Sequence, residues 1–470
     1  MEIKDFLKKE FNTEVFENQT KQTEWLTWYK NNNSWRNYWI TLNNQRRSKK
    51  KVTRMSLNSC KRVCEDWANL LLNEKTDVIV NDEAQNELVQ NVIEKNDFWQ
   101  LANNSVEKNQ AIGGGAFILN RKENDDISIE YADGTRCYIL NADNNEVIDC
   151  AFENKLYLDG KKFTTLSAHI RNEDETTYTI YNFLFDEDMN LLTDEAMKEL
   201  TGVDAEVIAA CKTFSFFAPQ NVSRFNWDTP FADSVYAKAI DANKLVDLAF
   251  DSYANEFTLG KKRIFVATEL ATYQKVENVT ANGETTTRVV RVPTFDENET
   301  VFNLLPEQDD GKTLVKEIDM NLRTEQHEKG IQDALNYFAS LCGLGEKYYK
   351  YENGNITTAT QVISENSTLF RNIQKQQVPI ERMLKEVVEA ILGLYGIEQV
   401  AEITVEFDDS IITDREAERQ RDLIDVREGI MSKAEYRAKY YGEDEEQAQK
   451  KIDEIASKTM NEDLNPFRVI

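Results

Sequence analysis

The residues in this chain that could do chemistry are mostly carboxylates, and one pair has a suggestive position. Asp408 and Asp409 follow the strand-like run Ile403–Phe407. Neighbouring carboxylates at a strand end can hold Mg²⁺ or Mn²⁺, so a metal-dependent nuclease or phosphodiesterase is one hypothesis. The alternative is a solvated surface pair, which we favour because Asp and Glu together number 83 in the sequence.

The cysteines and histidines do not form a metal-binding pattern. Cys60 and Cys64 lie on one predicted helix, with no second Cys or His pair nearby to complete four ligands. The two histidines, His169 and His327, belong to different predicted elements. We therefore predict no metal and no cofactor, and we interpret the 6 cysteines as reduced thiols of an intracellular protein.

Neither a phosphate-binding loop nor an activated nucleophile is evident. A phosphate loop needs the order strand, glycines, helix, whereas Gly113, Gly114 and Gly115 follow a predicted helix and precede a predicted strand. These glycines are more typical of a helix C-cap and turn. No Gly-x-Ser-x-Gly motif occurs, and 2 histidines offer few bases for a triad. The sequence therefore predicts a protein that is not an enzyme.

Two short segments have compositions that can contact a polyanion. The first consists of Lys347, Tyr348, Tyr349, Lys350 and Tyr351. Its ammonium groups and flat rings could touch a nucleic acid weakly through charge and stacking. The alternative is an exposed loop whose tyrosines cover neighbouring apolar surface. The second segment, Arg46 to Lys51, could be a nucleic-acid patch, but a solvated charge run is the preferred interpretation.

Composition indicates a large acidic protein built from long regular elements. Its 470 residues are too many for one core, and we expect about two to four units. The formal net charge of −27 argues against a surface that wraps nucleic acid. The sequence has neither a long apolar run nor a signal-peptide pattern at its N-terminus, so no membrane association is expected.

Periodicity predicts an antiparallel α+β unit in the first half of the chain. Residues 1–60 are predicted to be mainly helical, and further helices are expected at about Ser56–Asn73 and Ala84–Gln110. Short strands separated by turn residues follow. They are predicted at Ala116–Leu119, Ile127–Tyr131, Cys137–Leu140, Val147–Phe152, Thr176–Phe185 and Phe214–Phe217.

The central block is predicted to be two long helices separated by a β-rich insertion. The helices cover about Asp233–Leu259 and Asn321–Cys342, and the insertion carries strand patterning such as Arg288–Val292. The first helix has a heptad-like seam that consists of Val235, Ala239, Ala242, Val246, Ala249 and Tyr253. Further apolar residues widen this surface, so we expect burial from several sides, either in a large core or between subunits.

The C-terminal third is predicted to be helical and highly charged. One long helix is expected from about Thr358 to Tyr395, with a kink at Pro379. A lone strand follows, and then three short charged helices. Ser432-x-x-Glu435 is a capping box for one of them.

The order of these elements, together with several local stretches, resembles portal proteins of tailed bacteriophages, in particular siphophages of Gram-positive hosts. The stretches are Asp247–Val266, Asn355–Ser367, Cys64–Lys75 and Gly113–Phe117. The resemblance covers nearly the whole chain and includes no catalytic motif. It implies an α+β, multi-domain portal-like subunit with long stem helices, a β-rich clip, and a helical wing and crown.

The resemblance also implies a division of the chain. Residues 1–232 would form the wing, 233–259 the first stem helix, 260–320 the clip and 321–342 the second stem helix. Residues 343–356 would be the tunnel loop, 357–412 a helix and strand of the wing, and 413–470 a short crown. Lys347 to Tyr351 would then touch DNA in transit, and the seam from Val235 to Tyr253 would pack the stem.

Such proteins form rings, usually of about twelve subunits, at one capsid vertex. The ring is the channel for genome packaging and ejection. The resemblance therefore implies these partners: other copies of the chain, double-stranded DNA, the terminase large subunit, the major capsid and scaffold proteins, and a head-completion or adaptor protein. It places the protein in the virion and, during assembly, in the host cytoplasm. A head adaptor that lines no channel is a further alternative to the nuclease hypothesis.

Overall fold

The computed structural model combines long helices, small sheets and a helix pair with a β-rich insertion. It describes residues 2–16, 19–41, 49–73, 75–122, 126–144, 146–260, 263–267, 272–281, 284–293, 302–305, 315–318, 321–350, 367–407, 415–441, 444 and 447–454. Tyr351, Thr358, Asp408 and Asp409 lie outside these residues. Among the residues described, no helix is both long and apolar enough to cross a membrane.

The helices of the described chain are α1 (Ile3–Phe11), α2 (Gln19–Tyr29), α3 (Ser59–Leu71), α4 (Glu83–Lys95), α5 (Phe98–Ile112), α6 (Asp194–Thr201), α7 (Ile240–Leu259), α8 (Thr324–Leu341), α9 (Ser367–Leu394), α10 (Arg415–Glu428) and α11 (Lys433–Tyr441). The strands of the first half are β1 (Asn37–Thr41), β2 (Lys49–Thr53), β3 (Asp77–Val80), β4 (Gly115–Arg121), β5 (Ile127–Asp133), β6 (Cys137–Asp143), β7 (Glu146–Leu158), β8 (Lys161–Arg171), β9 (Tyr178–Phe185), β10 (Glu206–Ala209) and β11 (Phe214–Phe217). The later strands are β12 (Arg263–Ala267), β13 (Thr272–Ala281), β14 (Glu284–Pro293), β15 (Phe302–Leu305), β16 (Val315–Ile318) and β17 (Ile403–Glu406).

The six strands predicted between Ala116 and Phe217 all form, and they belong to two antiparallel sheets. One sheet has the order β10-β9-β8-β7-β6 and the other the order β11-β4-β5. β8 and β10 were not predicted. The buried faces of the two sheets meet at Phe152 and Phe214, whose ring centroids are 5.5 Å apart. The mixture of helices with antiparallel sheets confirms the α+β class.

The single helix expected at Ala84–Gln110 is in fact two helices, α4 and α5. Between them Asp97 adopts a left-handed backbone conformation with φ of 47°, which interrupts the helix. The Asn96 side chain holds this break against β5, since it donates to the Ile127 carbonyl (2.9 Å) and accepts from the Ile129 amide (3.0 Å). The break therefore joins a helix end to a sheet, and helical periodicity alone does not reveal that partner.

The prediction that residues 1–60 are helical is wrong for the segment that forms the hairpin of β1 and β2. These strands are antiparallel, and Trp39 pairs with Lys51. Aromatic and β-branched residues such as Tyr38 and Val52 favour the extended conformation here. Part of the predicted basic cluster therefore lies on a strand. The remainder, Arg46 to Ser48, lies outside the described residues.

The first helix of the central pair starts later than predicted. α7 begins at Ile240, after a short 3₁₀ turn at Ala237–Ala239, whereas the sequence pattern predicts a start at Asp233. The preceding backbone has another partner, because the Val235 amide donates to the Gln110 carbonyl (2.9 Å). Contact with the end of α5 therefore takes precedence over continuation of the helical pattern.

α7 and α8 lie antiparallel, and the insertion between them is β-rich, as predicted. β12 pairs in parallel with β15 and antiparallel with β16, while β13 and β14 form a long hairpin. At the insertion end of the helix pair, the Arg323 guanidinium donates to both carboxylate oxygens of Glu256 (3.0 and 2.8 Å). These bonds lower the pKa of Glu256 to about 2. The insertion thus leaves and rejoins the helix pair at one place.

The C-terminal third agrees with the helical prediction wherever it is described. α9 includes Pro379, which is buried within the helix. The strand β17 is not alone, since it pairs antiparallel with β3 through partners such as Ile403 and Val80. The capping box of α11 is confirmed, because the Ser432 amide donates to Glu435 Oε2 (2.7 Å) and the Glu435 amide donates to Ser432 Oγ (3.0 Å).

The helix C-cap predicted at Gly113 is also confirmed. α5 ends there, and Gly113 has a left-handed φ of 81° with its amide bonded to the Asn109 carbonyl (2.8 Å). A Cβ atom at this position would lie 1.9 Å from the Ala232 carbonyl oxygen. Gly202 ends α6 with a similar φ of 73°, but a Cβ there would meet no atom within 4 Å. The two glycines therefore differ only in their surroundings.

We predict that Gly113→Ala destabilises the protein much more than Gly202→Ala. Both substitutions place an L side chain in a left-handed conformation, which costs about 1–2 kcal/mol. Only Gly113→Ala adds a collision with backbone, which raises its expected cost to about 4 kcal/mol or more. Thermal unfolding followed by circular dichroism would measure both. Equal shifts in the two midpoints would contradict the close approach at Ala232.

Candidate functional site at the end of helix α8

The segment after α8, which the sequence marks as a polyanion-contacting loop, begins with turns built on glycine. α8 ends at Leu341, and Gly343 (φ 86°) and Gly345 (φ 95°) both adopt left-handed conformations. Glycine populates such conformations without steric cost. The structure describes this loop as far as Lys350. The glycines therefore turn the chain sharply away from the helix axis before the lysine and tyrosine residues.

Two hydrogen bonds and one buried side chain fix the start of this loop to the core. The Trp67 indole of α3 donates to the Cys342 carbonyl (3.1 Å), and the Asn372 side chain of α9 donates to the Gly343 carbonyl (2.8 Å). Leu344 is 0% exposed. Two helices that are far apart in sequence thus hold the same turn, so the position of the loop is set by the core.

Tyr349 anchors the far side of the loop. Its hydroxyl donates to Asp66 Oδ2 of α3 (2.6 Å), and its carbonyl accepts from Gln332 Nε2 of α8 (3.0 Å). The Arg62 guanidinium lies 5.6 Å from the ring centroid. Burial and the bond to Asp66 raise the pKa of Tyr349 far above its usual range. Burial also raises the pKa of Asp66, against the opposing effects of Tyr349 and Arg62.

The lysines and tyrosines of the loop have different environments. Lys347 and Lys350 are exposed, whereas Tyr348 and Tyr349 are half-buried and pack against the core. The two rings meet edge to face with centroids 5.0 Å apart, and burial raises the pKa of Tyr348 to about 12. The loop therefore combines tyrosines that cover apolar surface with two cations at the surface. Such an arrangement can make weak charge contacts with a polyanion.

The seam predicted on the first central helix is divided between the core and its margin. The buried members are Val235, Ala239 and Val246, and the half-buried members are Ala242, Ala249 and Tyr253. The first two precede α7 and do not form its first turn. The large apolar residues exposed on α7 are Leu245, Leu248 and Phe257. Half of the seam thus serves the core of its own subunit, and its role between subunits stays a prediction.

Among the residues that the structure describes, the other candidates are not brought together into a catalytic or metal site. His169 is buried, and this burial lowers its pKa to about 3. His327 contacts Tyr253 in the helix pair, with ring centroids 5.6 Å apart and the rings tilted. Burial raises the thiol pKa of Cys60 and Cys64 well above its usual value. Within the described ranges, no three His, Cys, Asp or Glu side chains lie close enough to hold a metal ion.

Sequence reasoning missed the residues that hold the loop in place. Trp67 lies within the predicted helix Ser56–Asn73, but the sequence pattern gives no partner to it, and none to Asp66 or Asn372. The one local signal is Asp66, a polar residue at the edge of the buried face of α3, near buried residues such as Val63. That signal does not identify a partner, since Trp67 and Cys342 are 275 positions apart.

Comparison with known families identifies the class of protein. A family model for phage portal proteins, described as SPP1 Gp6-like, matches residues 9–462. The chain therefore belongs to the phage portal protein family. This result confirms the resemblance noted in the sequence, and the family is a structural one.

Two solved structures have chains similar to this one. One is from the "Neck of empty GTA particle computed with C6 symmetry", with 12% identity, a TM-score of 0.45, and coverage of 90% of this chain and 94% of that chain. The other is from the "Virion of native gene transfer agent (GTA) particle", with 13% identity, a TM-score of 0.39, and coverage of 81% and 87%. No curated protein sequence matches the chain significantly. The identification rests on the family match.

We predict that Tyr349→Phe loosens the loop more than Tyr348→Phe does. The first change removes a hydrogen bond to a half-buried carboxylate, which is worth about 1.5–3 kcal/mol. The second leaves that bond intact and serves as the matched control. Hydrogen exchange of the amides of residues 343–350 would report the difference. With Asp66→Asn already present, Tyr349→Phe should have a smaller effect. Equal exchange in both single variants would contradict the anchoring role.

Proposed function

We propose that the protein forms the portal ring of a tailed phage. In this proposal about twelve copies close into a ring at one capsid vertex, and double-stranded DNA passes through the central channel during packaging and ejection. The observation that carries the proposal is the portal family match over residues 9–462. The ring belongs to the virion, and it assembles in the host cytoplasm.

The proposed division of the subunit follows the order of elements. Residues 1–232 form the wing, 233–259 the first stem segment, 260–320 the clip, 321–342 the second stem helix, 343–356 the tunnel loop, 357–412 the returning wing helix and strand, and 413–470 the crown. The antiparallel contact of α7 with α8, and the strands between them, support the assignment of stem and clip.

The proposed clip and tunnel loop lie at opposite ends of α8. The insertion joins the helix near Arg323, whereas the loop follows Cys342. A helix of 18 residues spans about 27 Å at roughly 1.5 Å per residue. This length separates the clip from the loop along the axis of the proposed ring. At its end of the helix, the clip binds terminase and later the head-completion or adaptor protein. The loop meets DNA at another level, nearer the wing and the capsid and scaffold proteins.

The charge of the chain suits a channel through which DNA slides. Each subunit has a formal charge of −27, and a ring multiplies that charge by its number of subunits. An acidic channel repels the phosphate backbone and prevents tight binding. Lys347 and Lys350 would then be local and weak contacts. Packaging is driven by the separate terminase motor, so the proposed role requires no catalysis by this chain.

Stem helices in a closed ring have neighbours on both sides, so their outer apolar residues need a partner. The half-buried seam residues Ala242, Ala249 and Tyr253 lie on the side of α7 that meets α8 of the same subunit. Leu245 and Leu248, 45% and 46% exposed, add apolar area to the same helix. We propose that neighbouring subunits cover part of this surface.

Negative-stain microscopy of the purified protein tests the ring directly. We expect closed rings of about twelve subunits with a central hole wide enough for duplex DNA. A strictly monomeric particle at micromolar concentration would contradict the portal proposal. A closed ring too narrow for duplex DNA would instead favour an adaptor that lines no channel.

We predict that Lys347→Ala combined with Lys350→Ala leaves ring assembly intact but impairs DNA packaging or retention. The reason is that both side chains are exposed on a loop whose position depends on other residues. The matched control is Lys161→Ala with Lys162→Ala, two exposed lysines at the start of β8. Packaged genome length in particles built with each variant is the measurement. Full-length genomes in the loop variant would remove the loop from the proposed mechanism.

A further inference from the structure

α7 has different neighbours on two opposite sides. Because each residue turns a helix by about 100°, positions 244, 247 and 251 project from one side, and positions 246, 253 and 256 from the other. The second side faces α8, through the ring contact of Tyr253 with His327 and the ion pair of Glu256 with Arg323. One side of α7 is therefore covered by α8, and the opposite side, with positions 244, 247 and 251, faces a different neighbour.

The first side faces the base of the hairpin of β1 and β2. The Met55 amide, just after β2, donates to Asp251 Oδ1 (2.9 Å). The Lys244 ammonium lies 6.0 Å from the Trp35 ring. Burial raises the pKa of Asp247, while Ser56, Arg36 and Arg54 oppose that shift, which places these residues beside the same side of the helix. The hairpin base and α8 thus lie on opposite flanks of α7.

The base of the hairpin is firmly built. The Arg54 guanidinium lies 4.0 Å from the Trp35 ring centroid and 4.3 Å from the Tyr38 ring centroid, and such stacked cation–π pairs favour a fixed geometry. The backbones are also bonded, since the Arg54 amide donates to the Arg36 carbonyl (2.7 Å). The hairpin therefore extends from a rigid base on α7.

Beyond this base the hairpin has no partner strand among the described residues, because β1 and β2 form a two-stranded sheet by themselves. Trp39 is 65% exposed and Ile40 is 37% exposed, and the lysines at positions 49–51 are exposed as well. An isolated two-stranded hairpin is marginally stable in water. An apolar and basic surface on a chain of formal charge −27 calls for an acidic partner.

The opposite flank offers a surface of complementary composition. α8 exposes the acidic residues Glu325, Glu328 and Asp333, with Lys329 as the cation among them. Further along the helix, Tyr337 is 64% exposed and Leu341 is 41% exposed. This flank therefore combines a net negative charge with an aromatic and an aliphatic side chain.

We infer that the hairpin of β1 and β2 docks on the exposed face of α8 of the neighbouring subunit in the ring. A closed ring of identical chains needs two different and complementary surfaces on opposite flanks of each subunit. The hairpin and α8 meet that requirement in position, in charge and in apolar content. Trp39 and Lys51 pair across the hairpin and project from the same face. Trp39 would therefore contact Tyr337, and Lys51 would face Asp333, which lies one turn away on α8. This inference rests on the proposed ring.

Site-directed cross-linking tests the contact in the full-length protein. In the variant with Lys51→Cys and Asp333→Cys, a flexible bismaleimide should link neighbouring chains into a ladder that ends at the closed ring. The matched control is Lys51→Cys with Glu173→Cys, in which the second exposed position lies between β8 and β9. Each single variant measures the background from the native cysteines, five of which are buried. No ladder is expected in the controls.

Charge reversal provides a second, independent test. Changing Lys49, Lys50 and Lys51 to Glu should lower the fraction of chains in rings by about tenfold, since like charges across an interface repel. Adding Glu325→Lys, Glu328→Lys and Asp333→Lys should restore ring formation. Circular dichroism of each variant confirms that the subunit remains folded, so that a loss of rings reports the interface.

The outcomes separate this inference from the proposed function. Rings in the wild type, with no ladder from the paired cysteines and no effect of charge reversal, would overturn the docking and leave the portal ring intact. Absence of rings in the wild type would overturn both. If charge reversal left the rings intact but abolished binding of a duplex oligonucleotide, the hairpin would be a nucleic-acid surface and the inference would be wrong.

Discussion

The hydrogen bond from the Trp67 indole to the Cys342 carbonyl is the contact on which the rest of the arrangement depends. Both residues are nearly fully buried, at 2% and 3% exposed. A buried indole N–H needs an acceptor, and the last carbonyls of a helix lack partners within it. Each group therefore satisfies the other. The bond fixes the end of α8 to α3, and with it the start of the loop.

This bond positions two further parts of the subunit, the loop after α8 and the helix α7. Asn372 and Tyr349 hold the loop against the same core, so the two exposed lysines are carried on a fixed frame. α8 in turn aligns α7, whose other flank supports the base of the β1 and β2 hairpin. In the proposed ring, such continuity would keep the channel in shape while DNA moves through it.

Sequence patterns located the elements whose signals are local. The strands from β4 to β9 were recognised, apart from β8, because alternation and turn residues lie within each segment. The capping box at Ser432 and the C-cap at Gly113 were recognised for the same reason. Features that depend on a distant partner were not. The break at Asp97 needs β5, and the late start of α7 needs the Gln110 carbonyl. β17 was predicted as a strand, but its pairing with β3 was not.

The candidate site divides in the same way. The exposure of Lys347 and Lys350 follows from the composition of the loop, and a sequence reader can expect it. The anchoring of Tyr349 by Asp66 joins positions 283 residues apart, so no local pattern contains it. From sequence alone, a tyrosine beside a lysine is equally consistent with an exposed stacking ring and with a ring that covers apolar surface. Contact with the core determines which of the two environments it has.

The closure of the helix pair at Glu256 and Arg323 has a consequence for how such subunits diversify. The chain leaves the helix pair and returns to it at nearly the same point. The insertion between α7 and α8 is therefore attached at a single place. Lengthening or replacing the insertion would change what it presents without moving α7, α8 or the core beneath them. In the proposed ring, one unchanged subunit body would thus carry clips suited to different terminases and adaptors.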